Sequence, residues 1–177
     1  MNAKAKNLDG YGTPAIEWER VRDVLASEIT QGPDDGGPNR HTAWLTTINP
    51  DGSPHVTPVG VVQLDGVWYF TSGPGTRKSR NIAADARCVV SVATQPFDLV
   101  LEGSAARVIE ADVLRSVADE YNRQGWPAQL EGDALTAEYS APSAGQAPWY
   151  VYKVTPTTVF AFGTAEPYGA TRFDITR

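Results

Sequence analysis

The sequence has little with which to bind a metal or to cross-link itself. Its 177 residues include one cysteine, Cys88, and two histidines, His41 and His55. A single cysteine excludes an intrachain disulfide, and within Arg-Cys-Val-Val-Ser-Val it reads as a small buried hydrophobe. So few soft ligands speak against a zinc site. No stretch approaches the ~20 apolar residues of a membrane span. Residues 1–12 lack the apolar segment of a signal peptide. The expected location is therefore the cytoplasm, without a membrane partner. Positive charge is also in deficit, with 15 Lys and Arg against 21 Asp and Glu and a formal net charge of −6. An acidic chain of this kind argues against nucleic acid as a partner.

What is present suits one globular domain over residues 1–177, with 41% hydrophobic residues to build a core. Thr13-Pro14 followed by Ala-Ile-Glu-Trp-Glu-Arg predicts a helix over 13–30, with Thr13 as cap and Pro14 in the first turn. The period then changes. Thr-Ala-Trp-Leu-Thr-Thr-Ile at 42–48 is rich in β-branched and aromatic residues. Asn49-Pro50-Asp51-Gly52 and Asp65-Gly66 are turn chemistry that divides the next strands into a meander. Further strands are expected at 87–94, 98–110 and 148–163, the last as two strands or as one bent at Pro156. A helix is expected from Ala111, and a helical insertion over 127–139. The tail, 163–177, reads as irregular. Strands this closely spaced leave no room for parallel crossovers. The fold class is mainly β with flanking helices: six or seven antiparallel strands, closed into a small barrel that removes the sheet's edges.

Against the acidic background, Thr76-Arg77-Lys78-Ser79-Arg80-Asn81 stands out. It follows Phe70-Thr71-Ser72 and the tight Gly73-Pro74-Gly75, where a strand gives way to a helix. A helix start offers unpaired N–H groups and a partial positive charge, and Arg and Lys add full charges, so the stretch is suited to a small anion such as a phosphate. It is not a P-loop, because Arg77 stands where that motif needs glycine. It is not a dinucleotide fingerprint either, because the third glycine and the surrounding parallel unit are missing. The competing reading is a solvated basic face on a short helix.

Several motifs in order carry a resemblance. They are Gly-Ser-Pro-His-Val-Thr-Pro-Val, the Asp-Gly hairpin, Tyr-Phe-Thr-Ser, Thr-Arg-Lys-Ser-Arg-Asn-Ile and Asp-Ala-Arg-Cys-Val-Val-Ser-Val. Over roughly residues 40–165 the chain resembles the flavin- and deazaflavin-dependent oxidoreductases of the pyridoxamine 5′-phosphate oxidase-like split β-barrel. Within these it is more similar to the actinobacterial, coenzyme F420-dependent B group. The resemblance implies an FMN-binding type of split barrel acting as a homodimer, with the cofactor between subunits. Its phosphate would sit on Thr76, Arg77 and Lys78, with Arg80 and Asn81 nearby. The main chain of His55, Val56, Thr57, Pro58, Val59 and Gly60 would run beside the ring, and Phe70 and Thr71 would border the ribityl chain.

Two departures separate the chain from the vitamin B6 oxidases. Asp98 stands where they carry a glutamine, and their C-terminal Arg-x-His is missing. Ala-Thr-Arg-Phe in the tail is closer to the F420-type ending. Coenzyme F420 is therefore the expected cofactor, with FMN as the alternative, since both carry a phosphate on a ribityl chain. Arg40, Arg77 and Arg80 could extend a cationic track toward the longer anionic tail of F420.

The implied reaction is hydride transfer from reduced deazaflavin to an electron-poor small molecule such as a quinone, enone or tetrapyrrole. No catalytic residue can be named. Tyr139, Tyr150, Tyr152 and Tyr168 could each donate a proton but read better as packing or surface residues. Trp126, Trp149 and Phe173 could line a flat substrate pocket under a lid made of the insertion and the tail, although Trp149 suits a core position better. Two non-enzymatic readings remain: a cofactor-binding protein without turnover, and a haem carrier using His41 or His55 as axial ligand.

Overall fold

The computed structural model describes residues 2–27, 42–141 and 144–176. Arg40 and His41 lie outside them. The elements in chain order are β1 (Asn2–Asn7), α1 (Trp18–Ala26), β2 (Thr42–Ile48), β3 (Pro54–Leu64), β4 (Val67–Ser72), α2 (Arg77–Ala84), β5 (Arg87–Ala93) and β6 (Phe97–Val108). They continue with α3 (Ala111–Arg123), β7 (Gln129–Glu131), β8 (Ala134–Thr136), β9 (Tyr150–Gly163) and β10 (Ala170–Thr176).

Six strands form a closed antiparallel barrel in the order β9-β4-β3-β2-β5-β6, and β6 pairs back onto β9. This is the split barrel expected from the sequence, with β10 and β1 added along the outer half of β9. The turns form as their chemistry dictates. Gly52 takes a φ of 83° and donates its N–H to Asn49 O at 2.8 Å, while the Asp51 carboxylate accepts from the Ser53 N–H at 2.9 Å. Asp65 and Gly66 both have positive φ, at 51° and 74°, the pair that a two-residue hairpin requires.

β9 is one strand and not two. Opposite Pro156, which cannot donate to a ladder, β6 shifts register between Glu102 and Gly103. Gly103 is the only residue type that fits there, since a Cβ would stand 2.1 Å from Thr155 O.

Alternation sorts the strands into two cores. Leu45, Val61, Phe70, Val90, Leu99 and Val159 point inward and fill the barrel. Val62, Tyr69 and Val151 point outward and are covered by Leu114, Val117, Ala118 and Tyr121 of α3. The apolar stripe of α3 thus packs on the sheet's outer face, and α1 contributes Trp18, Val21 and Leu25 to the barrel core. The Trp68 indole N–H donates to Leu25 O at 2.9 Å.

Three sequence expectations are corrected. Helix α1 begins at Trp18, because residues 13–17 stay extended: the Thr13 N–H is bound by Asp9 Oδ1 at 2.9 Å and the Ile16 N–H by Thr171 Oγ1 at 2.8 Å. The insertion at 127–139 carries the β7–β8 hairpin and no helix. Gly132 has a φ of 62° at its turn, and Leu135 pairs with Trp149 through two backbone hydrogen bonds of 2.7 and 2.8 Å. The tail at 163–177 is not irregular. It holds β10, whose Thr171 and Phe173 are fully buried, and Phe173 lies 5.0 Å from the Trp18 ring. None of the described helices is long and apolar enough to cross a membrane.

Candidate functional site

The basic stretch forms α2, and its first turn is wired almost entirely by side chains. Thr76 caps the helix, its hydroxyl accepting from the Ser79 N–H at 3.3 Å. The hydroxyls of Ser72, Thr76 and Ser79 lie 2.7 to 3.1 Å from one another. The Asn81 amide donates to Thr47 Oγ1 at 3.0 Å and to Asn49 Oδ1 at 3.1 Å, which docks α2 on β2. Thr76 and Asn81 are therefore used to build the helix and seat it.

The three cations go different ways. Arg77 and Arg80 are exposed, and Arg80 donates to Gly75 O at 2.6 Å. Lys78 is only 6% exposed, and no hydrogen bond or ion pair among the described residues engages its ammonium group. Burial lowers its pKa. A buried lysine without a counter-charge is costly unless an anion completes it.

Lys78 lines a cavity of about 340 Å³. One wall is strand backbone and small side chains: Pro58, Val59, Gly60 and Val61 of β3, Thr42 of β2 and Thr71 of β4. The facing wall is Tyr121 of α3, Gln124 just past the end of that helix, and Trp126, and Ser140, Ala141 and Ala144 close the rim. The Tyr121 hydroxyl donates to Gly60 O at 3.2 Å, and burial raises its pKa, so it stays protonated. Trp126 is held by a clamp: its indole N–H donates to Tyr139 O at 2.6 Å, and the Tyr139 hydroxyl donates to Gly125 O at 3.1 Å. It also stacks edge-on against Tyr121 at 4.9 Å.

The rim is joined to the loop before α2. The Gly73 N–H donates to Ala144 O at 2.9 Å, and a Cβ at Gly73 would stand 2.8 Å from that same oxygen. Only glycine permits this approach.

Of the residues singled out in the sequence, Pro58, Val59, Gly60, Thr71, Lys78 and Trp126 come together here. His55, Val56 and Thr57 lie on β3 but do not line the cavity. Val56 is 55% exposed on the barrel's outer face, and His55 is half-buried. Burial, and then the charges of Arg77 and Lys78, lower the His55 pKa. Phe70 is in the barrel core, stacked at 5.2 Å on Tyr152. Trp149 is buried as its strand position suggested, whereas Phe173 is core and no part of a lid. Tyr121, Gln124 and the small rim residues were not found from sequence. The stripe of α3 marked Tyr121 as packing, and nothing local marked Gln124.

A larger hollow of about 430 Å³ lies over β2, β5 and β6, lined by Ile48, Cys88, Val89 and Gly103 among others. It has no buried cation. Burial pushes the Cys88 thiol up to about 11, away from reactive thiolate. Chemistry, and not size, marks the smaller cavity as the site. Among the described residues no cluster of His, Cys, Asp and Glu could hold a metal ion.

Comparison with known proteins agrees with the fold. The family model described as pyridoxamine 5'-phosphate oxidase matches residues 35–162, well over half of the chain. No curated protein matches. Among solved structures, the conserved hypothetical protein Rv2991 of Mycobacterium tuberculosis superposes with a TM-score of 0.60 at 18% identity, over 88% of this chain and 89% of that one. A pyridoxamine 5'-phosphate oxidase-related, FMN-binding protein of Nostoc punctiforme gives 0.55 at 14% identity, over 77% and 81%. A NimC/NimA family protein of Clostridium acetobutylicum gives 0.52 at 15% identity, over 75% and 84%. At such identities these structures speak for the fold alone. With the barrel, its strand order and the match to most of its length, the chain belongs to the pyridoxamine 5'-phosphate oxidase family.

Proposed function

We propose that the protein is an oxidoreductase that binds coenzyme F420 in the cavity at Lys78 and passes hydride to an electron-poor small molecule, with FMN as the alternative cofactor. The observation that carries this reading is Lys78, only 6% exposed and without an ionic partner among the described residues, in a cavity walled by strand backbone and aromatic rings. That donor set fits a phosphate joined to a flat ring. The preference for F420 rests on the sequence resemblance; the FMN-binding relative from Nostoc punctiforme supports a flavin-like ligand more broadly.

When bound, the cofactor would supply the hydride chemistry. The chain's own part is to bind, orient and shield. Lys78 would pair with the phosphate, and Arg77 and Arg80 would add a screened field at the helix start. Gly60, lacking a side chain, lets a ring approach β3. Tyr121 stays a neutral donor, held on Gly60 O. The clamp of Trp126 and Tyr139 keeps the aromatic wall in place.

The site would be completed by a second copy of the chain. Antiparallel pairing sets Trp44 beside Pro58 and Thr42 beside Gly60, so Trp44, 47% exposed, continues the outer face that forms the cavity wall. Val56, opposite Thr46, extends the same apolar strip. Covering it suits an obligate homodimer interface.

The reading is tested by titrating purified, cofactor-free protein with F420 and with FMN. Micromolar or tighter binding of F420 with weaker binding of FMN supports it, and stronger binding of FMN selects the alternative. Binding of neither removes it. Reduced F420 that is then oxidised no faster than in a blank, across quinones, enones and tetrapyrroles, would leave a binding protein without turnover. Absence of a Soret band on haem titration dismisses the haem reading.

A further inference from the structure

We propose that Gln124 is a specificity-determining residue, whose side-chain carbonyl accepts a hydrogen bond from the imide N–H on the pyrimidine edge of the bound ring. The inference rests on the cofactor reading above and adds the residue that recognises the ring.

Gln124 follows the last residue of α3 and lines the cavity on the wall opposite β3. Its amide orientation is determined by chemistry. The Nε2 group donates to Glu120 Oε1 at 2.8 Å, and an ionised carboxylate can only accept. Glu120 is itself gripped by Arg123, through Nε at 2.9 Å and Nη2 at 2.6 Å. The guanidinium fixes the place of that carboxylate, so the Gln124 amide cannot flip without facing oxygen to oxygen. Its Oε1 is then the free branch: no donor among the described residues is bonded to it.

The cavity therefore has a directional polarity. Lys78 contributes donors only, and Gln124 contributes an acceptor whose other branch is occupied. A matching ligand has an anionic group and, elsewhere on a flat body, an N–H donor. The imide of FMN and of the F420 deazaflavin is such a donor. A haem edge has none. Tyr121 and Trp126 beside Gln124 supply apolar ring surface without competing for Oε1, since their own polar atoms are committed to Gly60 O and Tyr139 O.

The test compares each cofactor with its N3-methylated analogue, by fluorescence or calorimetric titration of the intact protein. The pair is FMN and N3-methyl-FMN, or F420 and N3-methyl-F420 where only the deazaflavin binds. Methylation removes the donor and leaves the phosphate untouched. The wild-type protein is expected to bind the methylated ligand at least about tenfold more weakly. Gln124→Leu is expected to weaken the parent ligand by a similar factor and to abolish the discrimination. Equal affinity of the wild-type protein for both members of a pair overturns the inference while leaving the cofactor reading intact, as does full discrimination in a folded Gln124→Leu protein. The wild-type comparison needs no variant, so it decides even if the substitution impairs folding. If neither FMN nor F420 binds, the cofactor reading itself fails and this inference goes with it.

Discussion

The two walls of the cavity are built in opposite ways. On the α2 side, the cap and the hydroxyl cluster lie within 7 residues of one another, and only the Asn81 amide reaches further, to Thr47 of β2. On the α3 side, Tyr121, Gln124, Trp126 and Ala144 come from a helix end and an insertion, and they are tied to distant strands through Gly60 and Gly73. The first carries the buried Lys78 at the start of a capped helix. The second is an aromatic cover whose position depends on long-range contacts. On the proposed reading the difference separates two tasks: the helix start would supply affinity for a phosphate, and the packed aromatic side would recognise a ring.

Substitutions on the two walls should accordingly fail in different ways. The largest effect is expected for Lys78→Ala, which should weaken FMN or F420 binding by about tenfold or more, in line with ~1.5–3 kcal/mol for a charged contact. Thermal melts should show the unliganded variant no less stable than wild type, because a buried lysine without a counter-charge among the described residues is removed. The pH dependence has the matching sign. With its pKa lowered by burial in the fold, the penalty for Lys78 is fully present below the folded pKa, where folded and unfolded chains are both protonated. The penalty is relieved as pH rises from the folded pKa toward the ordinary lysine value. A loss of unliganded stability in Lys78→Ala would remove the contrast between the walls.

Gly73→Ala should act on the join between them. Its Cβ meets backbone, the Ala144 oxygen, so the rim must move. A destabilisation of ~1–3 kcal/mol is expected by denaturant titration. Trp126→Phe keeps a ring but loses the donor to Tyr139 O, and should cost about 1 kcal/mol and speed ligand release measured by stopped flow. The smallest effect is expected for Arg77→Ala and Arg80→Ala. Their exposed side chains should change affinity only about two- to fivefold, and less at high salt. The bare sequence, with three cations of equal standing, would assign Arg77 as much as Lys78.

That point shows what the sequence could convey. The barrel was legible because turn chemistry at residues 49–52 and 65–66 and β-branched runs are local signals. The basic stretch was legible as a helix start for the same reason. Which of its cations is buried was not, since that depends on how Asn81 and Ile82 seat α2 against the barrel. The tail carried a signal that went unread: in Thr171-Arg172-Phe173-Asp174-Ile175 every second residue is apolar or threonine, the pattern of a half-buried strand. The β7–β8 hairpin is too short for periodicity to show. Gly132 and the register to Trp149 decide it. Gln124 could not be found locally, because its role depends on a cavity whose other wall lies some sixty residues earlier in the chain.

The central claim is that Lys78 awaits the phosphate of a redox cofactor. The most direct measurement is a parallel titration of wild-type and Lys78→Ala protein with F420 and with FMN. The account predicts micromolar or tighter binding of F420 to the wild-type protein, with FMN weaker, and a loss of about tenfold or more in the folded variant. Unchanged affinity in the variant, or no binding of either cofactor to the wild-type protein, would contradict it.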